Sequence, residues 1–129
     1  MPHTEAMSIA EYRALAGRSK YGNKKVIVDN ITFDSIAEAE RYKQLRLLEQ
    51  AGAISDLRLQ PRYELQKAFT DNEGKRQRAI VYIGDFAYSE NGKWIIEDTK
   101  GVETPVFKLK KKMLLYLYPH YRLRVIKVK

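Results

Sequence analysis

The sequence has no cysteine among its 129 residues. This absence excludes disulfide bonds, thiol catalysis and thiolate metal ligands, and it fits a reducing compartment. No apolar run approaches the roughly 18 residues that a membrane-spanning helix needs. The first residues also lack the basic start and apolar stretch of a secretory signal. We therefore expect a cytoplasmic protein with no membrane partner.

Acidic residues are absent after Glu103, and the whole net charge of +8 arises beyond that point. The residues up to Glu103 include sixteen basic and sixteen acidic side chains. The basic residues that follow are Lys108, Lys110, Lys111, Lys112, Arg122, Arg124, Lys127 and Lys129. A basic region without acids is typical of a polyanion-binding protein, and nucleic acid is the commonest polyanion. A lysine-rich solvated surface is the alternative interpretation.

The length and composition fit a single globular domain, with 44% hydrophobic and 31% charged residues. Residues 1–24 are predicted to form a short helix over 8–16 and a basic arm, ahead of the main domain at 25–129. Lys24 and Lys25, at the junction of the arm and the main domain, either bind DNA phosphates or lie in solvent, and the sequence does not decide between the two.

Capping and turn residues predict the first elements of the main domain. A small hairpin is expected to turn at Asp29-Asn30. Ser35 then caps a helix, with Glu38 three residues later in the capping-box pattern, and the helix runs to Ala51 because Gly52 follows.

The remaining elements are read from hydrophobic periodicity. Strands are expected over 57–67, 78–88, 93–100 and 121–128, with turns at 71–74 and 89–92 and a second helix from Thr104-Pro105 to just before Pro119. The alternation of the last strand slips at Val125-Ile126, which a β-bulge would explain. The order is αβββαβ after a short N-terminal helix and hairpin. The predicted fold class is therefore α/β (α+β), with a mixed central sheet flanked by helices.

Two of the predicted strands carry charged residues in otherwise apolar rows, because alternate residues of a strand share a face. The rows are Ala79, Val81, Ile83, Asp85 and Ala87 on one strand and Trp94, Ile96, Asp98 and Lys100 on the next. A two-residue turn at Asn91-Gly92 would place Asp85 opposite Asp98.

Opposed like charges repel each other, so this carboxylate pair requires a compensating positive charge. A hard divalent cation with oxygen ligands, Mg²⁺ or Mn²⁺, would supply it together with Lys100. Such a cation lowers the pKa of a bound water and stabilises charge on a phosphate, which is the chemistry of phosphodiester hydrolysis. Lys100 can orient the attacking water or neutralise the developing charge.

Three further residues have more than one interpretation. Glu97 would replace Asp98 as the second carboxylate if the turn had three residues, but only Asp98 shares a strand face with Lys100. Glu38 lies on the core side of its helix, where it either completes the helix cap or serves the site. Lys110 either extends its amine into solvent or contacts a phosphate.

Several short motifs are spread over about residues 20–128: Phe33-Asp34-Ser35 with Glu38, Gln60-Pro61, Asp85-Phe86, Glu97-Asp98-Thr99-Lys100-Gly101 and the lysine-rich helix. They resemble the PD-(D/E)XK nuclease superfamily, in particular its small bacteriophage and prophage members. The order αβββαβ is also the core of that superfamily, so the resemblance implies a restriction-endonuclease-like fold. One position departs from the pattern, because Gly84 stands where the family has proline.

The resemblance implies roles for five residues: Asp85 and Asp98 as metal ligands, Lys100 as the catalytic lysine, Glu38 as the helix acid that supports the metal, and Gln60 in support. We therefore expect a Mg²⁺-dependent DNA endonuclease, acting on branched or recombining DNA, in the host cytoplasm if a phage encodes it. A non-catalytic DNA-binding module and an RNA-binding basic domain are the alternatives. The sequence leaves the oligomeric state open, a homodimer included.

Overall fold

The computed structural model of the protein describes Met7–Ser8 and residues 25–127. Ser8, predicted to begin a helix, instead lies in a short strand beside Ile27. The helix predicted over 8–16 nevertheless stays a prediction, because Ser8 is its only described residue. The rest of the predicted helix, residues 9–16, and Lys24 lie outside the described residues.

Two helices and eleven strands form within the described residues. They are β1 (Met7–Ser8), β2 (Val26–Val28), β3 (Ile31–Phe33), α1 (Ile36–Gln50), β4 (Ser55–Leu59), β5 (Arg62–Gln66), β6 (Phe69–Thr70), β7 (Arg76–Gln77), β8 (Ile80–Ile83), β9 (Phe86–Glu90), β10 (Lys93–Lys100), α2 (Pro105–Leu117) and β11 (Tyr121–Lys127). Neither of these helices has the length and apolar content needed to cross a bilayer.

The chain divides into two units, the first ending at Leu48 and the second beginning at Glu49. In the first unit, β2 and β3 form the predicted hairpin. Its turn residues Asp29 and Asn30 have φ angles of 54° and 63°, the left-handed conformation that a tight two-residue turn requires. The predicted boundary between residues 24 and 25 stays a prediction.

α1 is capped and anchored within the first unit. The Ser35 hydroxyl accepts a hydrogen bond from the Glu38 amide at 3.1 Å, which confirms the predicted cap. The Tyr42 ring packs against Phe33 with ring centroids 5.0 Å apart, and its hydroxyl donates to Asp29 Oδ2 at 3.0 Å. These contacts attach the helix to the hairpin.

The second unit is built on a four-stranded sheet in the order β11–β10–β9–β4. β10 pairs parallel with β11 and antiparallel with β9, so the sheet is mixed. Two further antiparallel pairs, β5–β8 and β6–β7, extend from it. Two helices with this sheet make an α+β fold, which confirms the predicted fold class.

α2 supplies the apolar layer over one face of this sheet. Its residues Phe107 and Leu114 are buried in one cluster with Tyr82 and Ile96, and burial of such side chains stabilises the fold by about 1.5–3 kcal/mol each. The Thr104 hydroxyl caps α2 as predicted, accepting from the Phe107 amide at 3.1 Å. The N-terminal end of α2 is thereby placed beside Tyr82.

Two strands predicted as continuous are each broken. The strand expected over 57–67 ends at Leu59 and resumes at Arg62, and the strand expected over 78–88 is interrupted at Gly84-Asp85. The two breaks pair with each other: the Gly84 amide donates to the Pro61 carbonyl at 3.0 Å, and the Gln60 amide donates to the Asp85 carbonyl at 2.9 Å. Gln60 has a φ of 48°, a left-handed conformation, and this turn of the backbone allows the two breaks to pair.

The break also changes which residues of β8 are buried. The predicted row of Val81, Ile83 and Asp85 on one core face is wrong, because Tyr82 is 3% exposed whereas Ile83 is 47% exposed. Strict alternation holds only along an uninterrupted strand. Gly84 and Asp85 interrupt the strand, so the alternation of side chains between the two faces does not continue across them.

The predicted bulge at Val125-Ile126 is also wrong. The pairing of β11 with β10 runs without interruption from Tyr121 to Lys127. β11 is the edge strand, and both Val125 and Ile126 are half-buried. Val125 and Ile126 therefore contribute apolar surface to opposite faces of the edge strand, and no extra residue is inserted.

Candidate active site

The site is organised by the β9–β10 hairpin. Its turn residues Asn91 and Gly92 have φ angles of 51° and 77°, as expected of a two-residue turn of the mirror-image type. The two strands pair from Lys93 with Glu90, next to the turn, to Glu97 with Phe86. The prediction that these are adjacent antiparallel strands joined at Asn91-Gly92 is confirmed.

Asp85 lies just beyond the end of this ladder. The last pair is Glu97 with Phe86, and the Asp85 amide then donates to the Glu97 carbonyl at 2.9 Å instead of pairing with Asp98. The Asp85 carboxylate accepts from the Thr99 amide at 2.7 Å. The predicted direct pairing is thus replaced by a local slip. The carboxylate is nevertheless attached to β10 at Thr99, the residue that follows Asp98.

Asp98 is 3% exposed and has two partners on the face covered by α2. The Tyr82 hydroxyl donates to its Oδ2 at 2.5 Å, and the Lys100 ammonium nitrogen lies 3.5 Å from the same oxygen. That nitrogen also lies 4.7 Å from the centroid of the Phe107 ring, a cation–π distance. Lys100 is therefore held between an acid of the sheet and a ring of α2.

The charges of this cluster affect one another. Burial, together with the negative charge of Asp98, raises the pKa of Asp85 to about 6, although the Thr99 amide and Lys100 act in the opposite direction. Burial and the hydrogen bond to Asp98 raise the pKa of Tyr82. Tyr82 therefore remains protonated at neutral pH and acts as a donor. The raised pKa of Asp85 shows that its charged form is disfavoured here, chiefly by burial.

A cavity of about 320 Å³ opens beside this cluster. Asp98 and Lys100 line it from the sheet, and Thr104 and Lys110 line it from α2. The amide groups and dipole of a helix N-terminus favour a negative charge. Lys110, whose role the sequence left open, contributes to the same cavity. The cavity thus combines one buried acid with two lysines and a positive helix end.

Glu97 points to the opposite side of the sheet. It is fully buried and accepts a hydrogen bond from the Tyr88 hydroxyl. Arg124 donates to that hydroxyl at 2.9 Å and to Glu90 at 3.0 Å. Asp98 and not Glu97 lies on the side of Lys100, because Asp98 and Lys100 are alternate residues of β10.

Gly84 and Gln60 act through the backbone. A Cβ added at Gly84 would lie 2.9 Å from Ile96 Cγ2, and its amide is used in the hydrogen bond to Pro61. A proline ring would meet the same contact and has no amide hydrogen to donate, which explains the glycine here without reference to any family pattern. The Gln60 side chain is exposed. Its contribution comes from the backbone, where the Gln60 N–H donates to the backbone carbonyl of Asp85.

The other predicted residues belong to the first unit or to α2. Lys25 is exposed and forms an ion pair with Asp34 at 3.1 Å in the first unit. Lys108 and Lys112 are exposed on α2, and Lys111 is half-exposed. Glu38 belongs to the first unit, and its predicted support of the metal site stays a prediction.

Sequence reasoning missed Tyr82, the donor to Asp98. The alternation of residues 79–87 placed its side chain on the wrong face. A Gly-Asp pair in mid-strand was the only local signal of a break, since such residues disfavour strands.

Within residues 25–127, no group of three or more histidine, cysteine or acidic side chains is arranged to hold a metal ion. Mg²⁺, however, is commonly bound by one or two carboxylates together with substrate phosphates and water. Asp85 and Asp98 supply oxygen donors of that kind, and the negative charge of each acts on the other. Because both donors are carboxylate oxygens, this set fits a hard cation such as Mg²⁺ or Mn²⁺.

The described residues define an α+β protein in which two aspartates, a lysine and a tyrosine meet at a mixed sheet. Residues 18–129 match the model of a family described as "Protein of unknown function (DUF1064)", and the chain belongs to this family. Comparisons with curated proteins and with solved structures gave no match.

Proposed function

We propose that this protein is a DNA endonuclease that hydrolyses phosphodiester bonds with the help of Mg²⁺ or Mn²⁺. The observation that carries the proposal is the position of the Lys100 ammonium, 3.5 Å from Asp98 Oδ2. The cavity that it lines is also lined by Lys110 and by the N-terminal end of α2, which carries a partial positive charge. Asp85, Asp98 and Lys100 are also the residues that the resemblance to PD-(D/E)XK nucleases implies.

The two aspartates are the proposed metal ligands. When bound, the cation lowers the pKa of a water and reduces the negative charge on the phosphate. The chain's own contribution is to fix the ligands: the Thr99 amide holds the Asp85 carboxylate, and Tyr82 holds Asp98. Such supporting hydrogen bonds commonly change metal affinity or activity by about 10- to 100-fold.

Lys100 is the proposed catalytic lysine. Its ammonium group donates hydrogen bonds and stabilises negative charge that develops on the attacked phosphate. Asp98 and the Phe107 ring limit its motion, so little reorganisation is needed when the substrate binds. Lys110 and the N-terminal amides of α2 would bind an adjacent phosphate.

DNA is the proposed polyanion because α2 continues the positive charge away from the cavity. Lys108 and Lys112 are exposed on this helix. Each phosphate that a lysine neutralises releases counterions, which makes binding favourable and salt-dependent. Branched or recombining DNA is the proposed substrate form, as the phage resemblance implies.

The proposal is tested by Lys100→Ala with Lys93→Ala as the matched control. Both residues are at the ends of β10, but Lys93 is exposed at the turn. Linear, nicked, single-stranded and four-way junction DNA are incubated with each protein, with Mg²⁺ or with chelator. We expect cleavage by the wild type and Lys93→Ala with Mg²⁺ only. Lys100→Ala should lose cleavage and keep DNA affinity within about threefold, since one charge among many contributes modestly.

A non-catalytic DNA-binding module is the second candidate. The exposed lysines of α2 favour it, because lysines bind phosphates whether or not a catalytic cluster is present. DNA binding without cleavage of any substrate in Mg²⁺ or Mn²⁺ would support this candidate. Cleavage that survives in Lys100→Ala would contradict the catalytic assignment instead.

A further inference from the structure

A cavity of about 410 Å³ lies on the α2-covered face, at the opposite end of β10 from Lys100. Ala87 and Trp94 line it from the hairpin, and Arg58, the β4 partner of Ala87, lines it from the neighbouring strand. Because alanine is small, the Arg58 guanidinium extends to 5.1 Å from the centroid of the Trp94 ring. The result is a recess with one indole wall and an arginine above it.

Three tyrosine rings also line the cavity, and neighbouring groups fix their positions. Tyr121 is the partner of Trp94 in the parallel pairing of β10 with β11, and the two ring centroids are 6.4 Å apart. The Tyr118 ring lies 5.4 Å from Tyr63, and its hydroxyl donates to the Glu64 carbonyl at 2.9 Å. The rings are therefore positioned before any ligand binds.

The lining selects against cations and favours an anionic aromatic ligand. Arg58 and Arg62 are the charged residues of this lining, which contains no carboxylate. Arginine binds phosphate in a bidentate manner and stacks on planar groups. Aromatic side chains beside such cations are the usual means of binding unpaired nucleotides, because every base has a π-face. The volume of about 410 Å³ is within the roughly 300–1,000 Å³ typical of small-ligand sites.

We propose that this cavity, with Trp94 and Tyr121 as its stacking residues, binds the base of an unpaired DNA nucleotide while Arg58 and Arg62 bind its phosphate. The proposal rests on the proposed function for the choice of DNA as ligand, and it specifies that the substrate contains an unpaired nucleotide. Trp94 and Asp98 lie on one strand face four residues apart, roughly 13 Å at a rise of about 3.3 Å per residue. Cleavage is therefore expected at a fixed position, a few nucleotides from the unpaired base.

Trp94 is the single tryptophan of the chain, so its fluorescence reports binding directly. The probes are a short oligothymidylate, a blunt duplex, an oligouridylate and inorganic phosphate, each titrated in chelator to prevent cleavage. We expect oligothymidylate to quench the fluorescence and bind more tightly than oligouridylate, while inorganic phosphate at the same concentrations leaves it unchanged.

Two variants test the two halves of the cavity. Tyr121→Leu should weaken oligothymidylate binding by roughly 5- to 100-fold, as loss of one stacking partner does. Its control is Tyr116→Leu, on the exposed side of α2. Arg58→Gln should lower the slope of log affinity against log salt by about 0.7, the contribution of one phosphate contact to a single strand, whereas the exposed Arg78→Gln should not. Arg58 is exposed, so this variant tests the cavity even if Tyr121→Leu fails to fold.

Unchanged oligothymidylate affinity in folded Arg58→Gln and Tyr121→Leu would overturn the proposal, and so would tighter binding of oligouridylate. The outcome is separable from that of the proposed function. Quenching that is retained in Lys100→Ala, without cleavage by the wild type, contradicts the nuclease and supports the cavity. Cleavage that is unaffected by either cavity variant supports the nuclease and contradicts the cavity.

Discussion

The Tyr82 hydroxyl donates a 2.5 Å hydrogen bond to Oδ2 of Asp98, the oxygen that also faces Lys100. Tyr82→Phe removes only this donor and leaves the ring in place. We expect a loss of about 1.5–3 kcal/mol in the free energy of unfolding, because the hydrogen bond is to a carboxylate. Activity should fall by roughly 10-fold or more, since Asp98 loses a positioning partner. Urea unfolding and the initial rate of DNA cleavage measure the two effects.

The control for that change is Tyr116→Phe, because Tyr116 is 84% exposed. It should alter neither quantity. Full activity and stability in Tyr82→Phe would mean that Asp98 is held without the tyrosine.

The Asp85 carboxyl gives the metal-free protein a characteristic pH dependence. Its pKa is raised from 3.8 to about 6, so the folded state keeps the proton over a range in which the unfolded chain has lost it. The contribution of Asp85 to stability is therefore most favourable below about pH 4 and falls as the pH rises to about 6. Asp85→Asn should remove this fall and be more stable than the wild type at pH 7, by up to about 3 kcal/mol.

Urea unfolding in chelator across that pH range, for both proteins, isolates the Asp85 contribution as a difference. Mg²⁺ should reduce the difference, because it stabilises the wild type only. An Asp85→Asn protein that is less stable than the wild type at pH 7 in chelator would contradict this interpretation of the carboxyl.

The part of the site that could be predicted from sequence is the part fixed by short-range rules. Asn91-Gly92 determines a two-residue turn and with it the pairing of β9 with β10. Alternation along β10 determines that Asp98 rather than Glu97 lies on the side of Lys100. Thr104 likewise determines where α2 begins. Each of these conclusions depends on neighbours in the chain.

The remainder depends on contacts between distant segments. The strand break at Gly84 is held by the Pro61 carbonyl, so alternation alone placed Tyr82 on the wrong face. Tyr121 reaches Trp94 only because β11 pairs with β10 in a particular register, after a helix has intervened. Without a short turn between two strands, hydrophobic periodicity indicates which side chains share a face but not which residues pair.

The close packing at Gly84 gives a third prediction. An added Cβ would lie 2.9 Å from Ile96 Cγ2, and Ile96 is fully buried. Gly84→Ala should therefore destabilise the protein by about 1–3 kcal/mol through overpacking, and Gly84→Pro by more, since it also loses the hydrogen bond to Pro61. Gly101→Ala is the control, because no atom lies within 4 Å of its added Cβ. Thermal unfolding that ranks Gly84→Ala with Gly101→Ala would contradict the packing argument.

The exposed lysines of α2 give the last prediction, which concerns binding rather than cleavage. Lys108 and Lys112 are exposed, and each phosphate contact contributes about 0.9 to the slope of log affinity against log salt for duplex DNA. Lys108→Gln combined with Lys112→Gln should lower that slope by about two and weaken binding to all duplex sequences alike. Lys75→Gln, an exposed change in the turn between β6 and β7, is the control for charge alone. If the double variant and Lys75→Gln show the same slope as the wild type, α2 is not the surface that meets DNA.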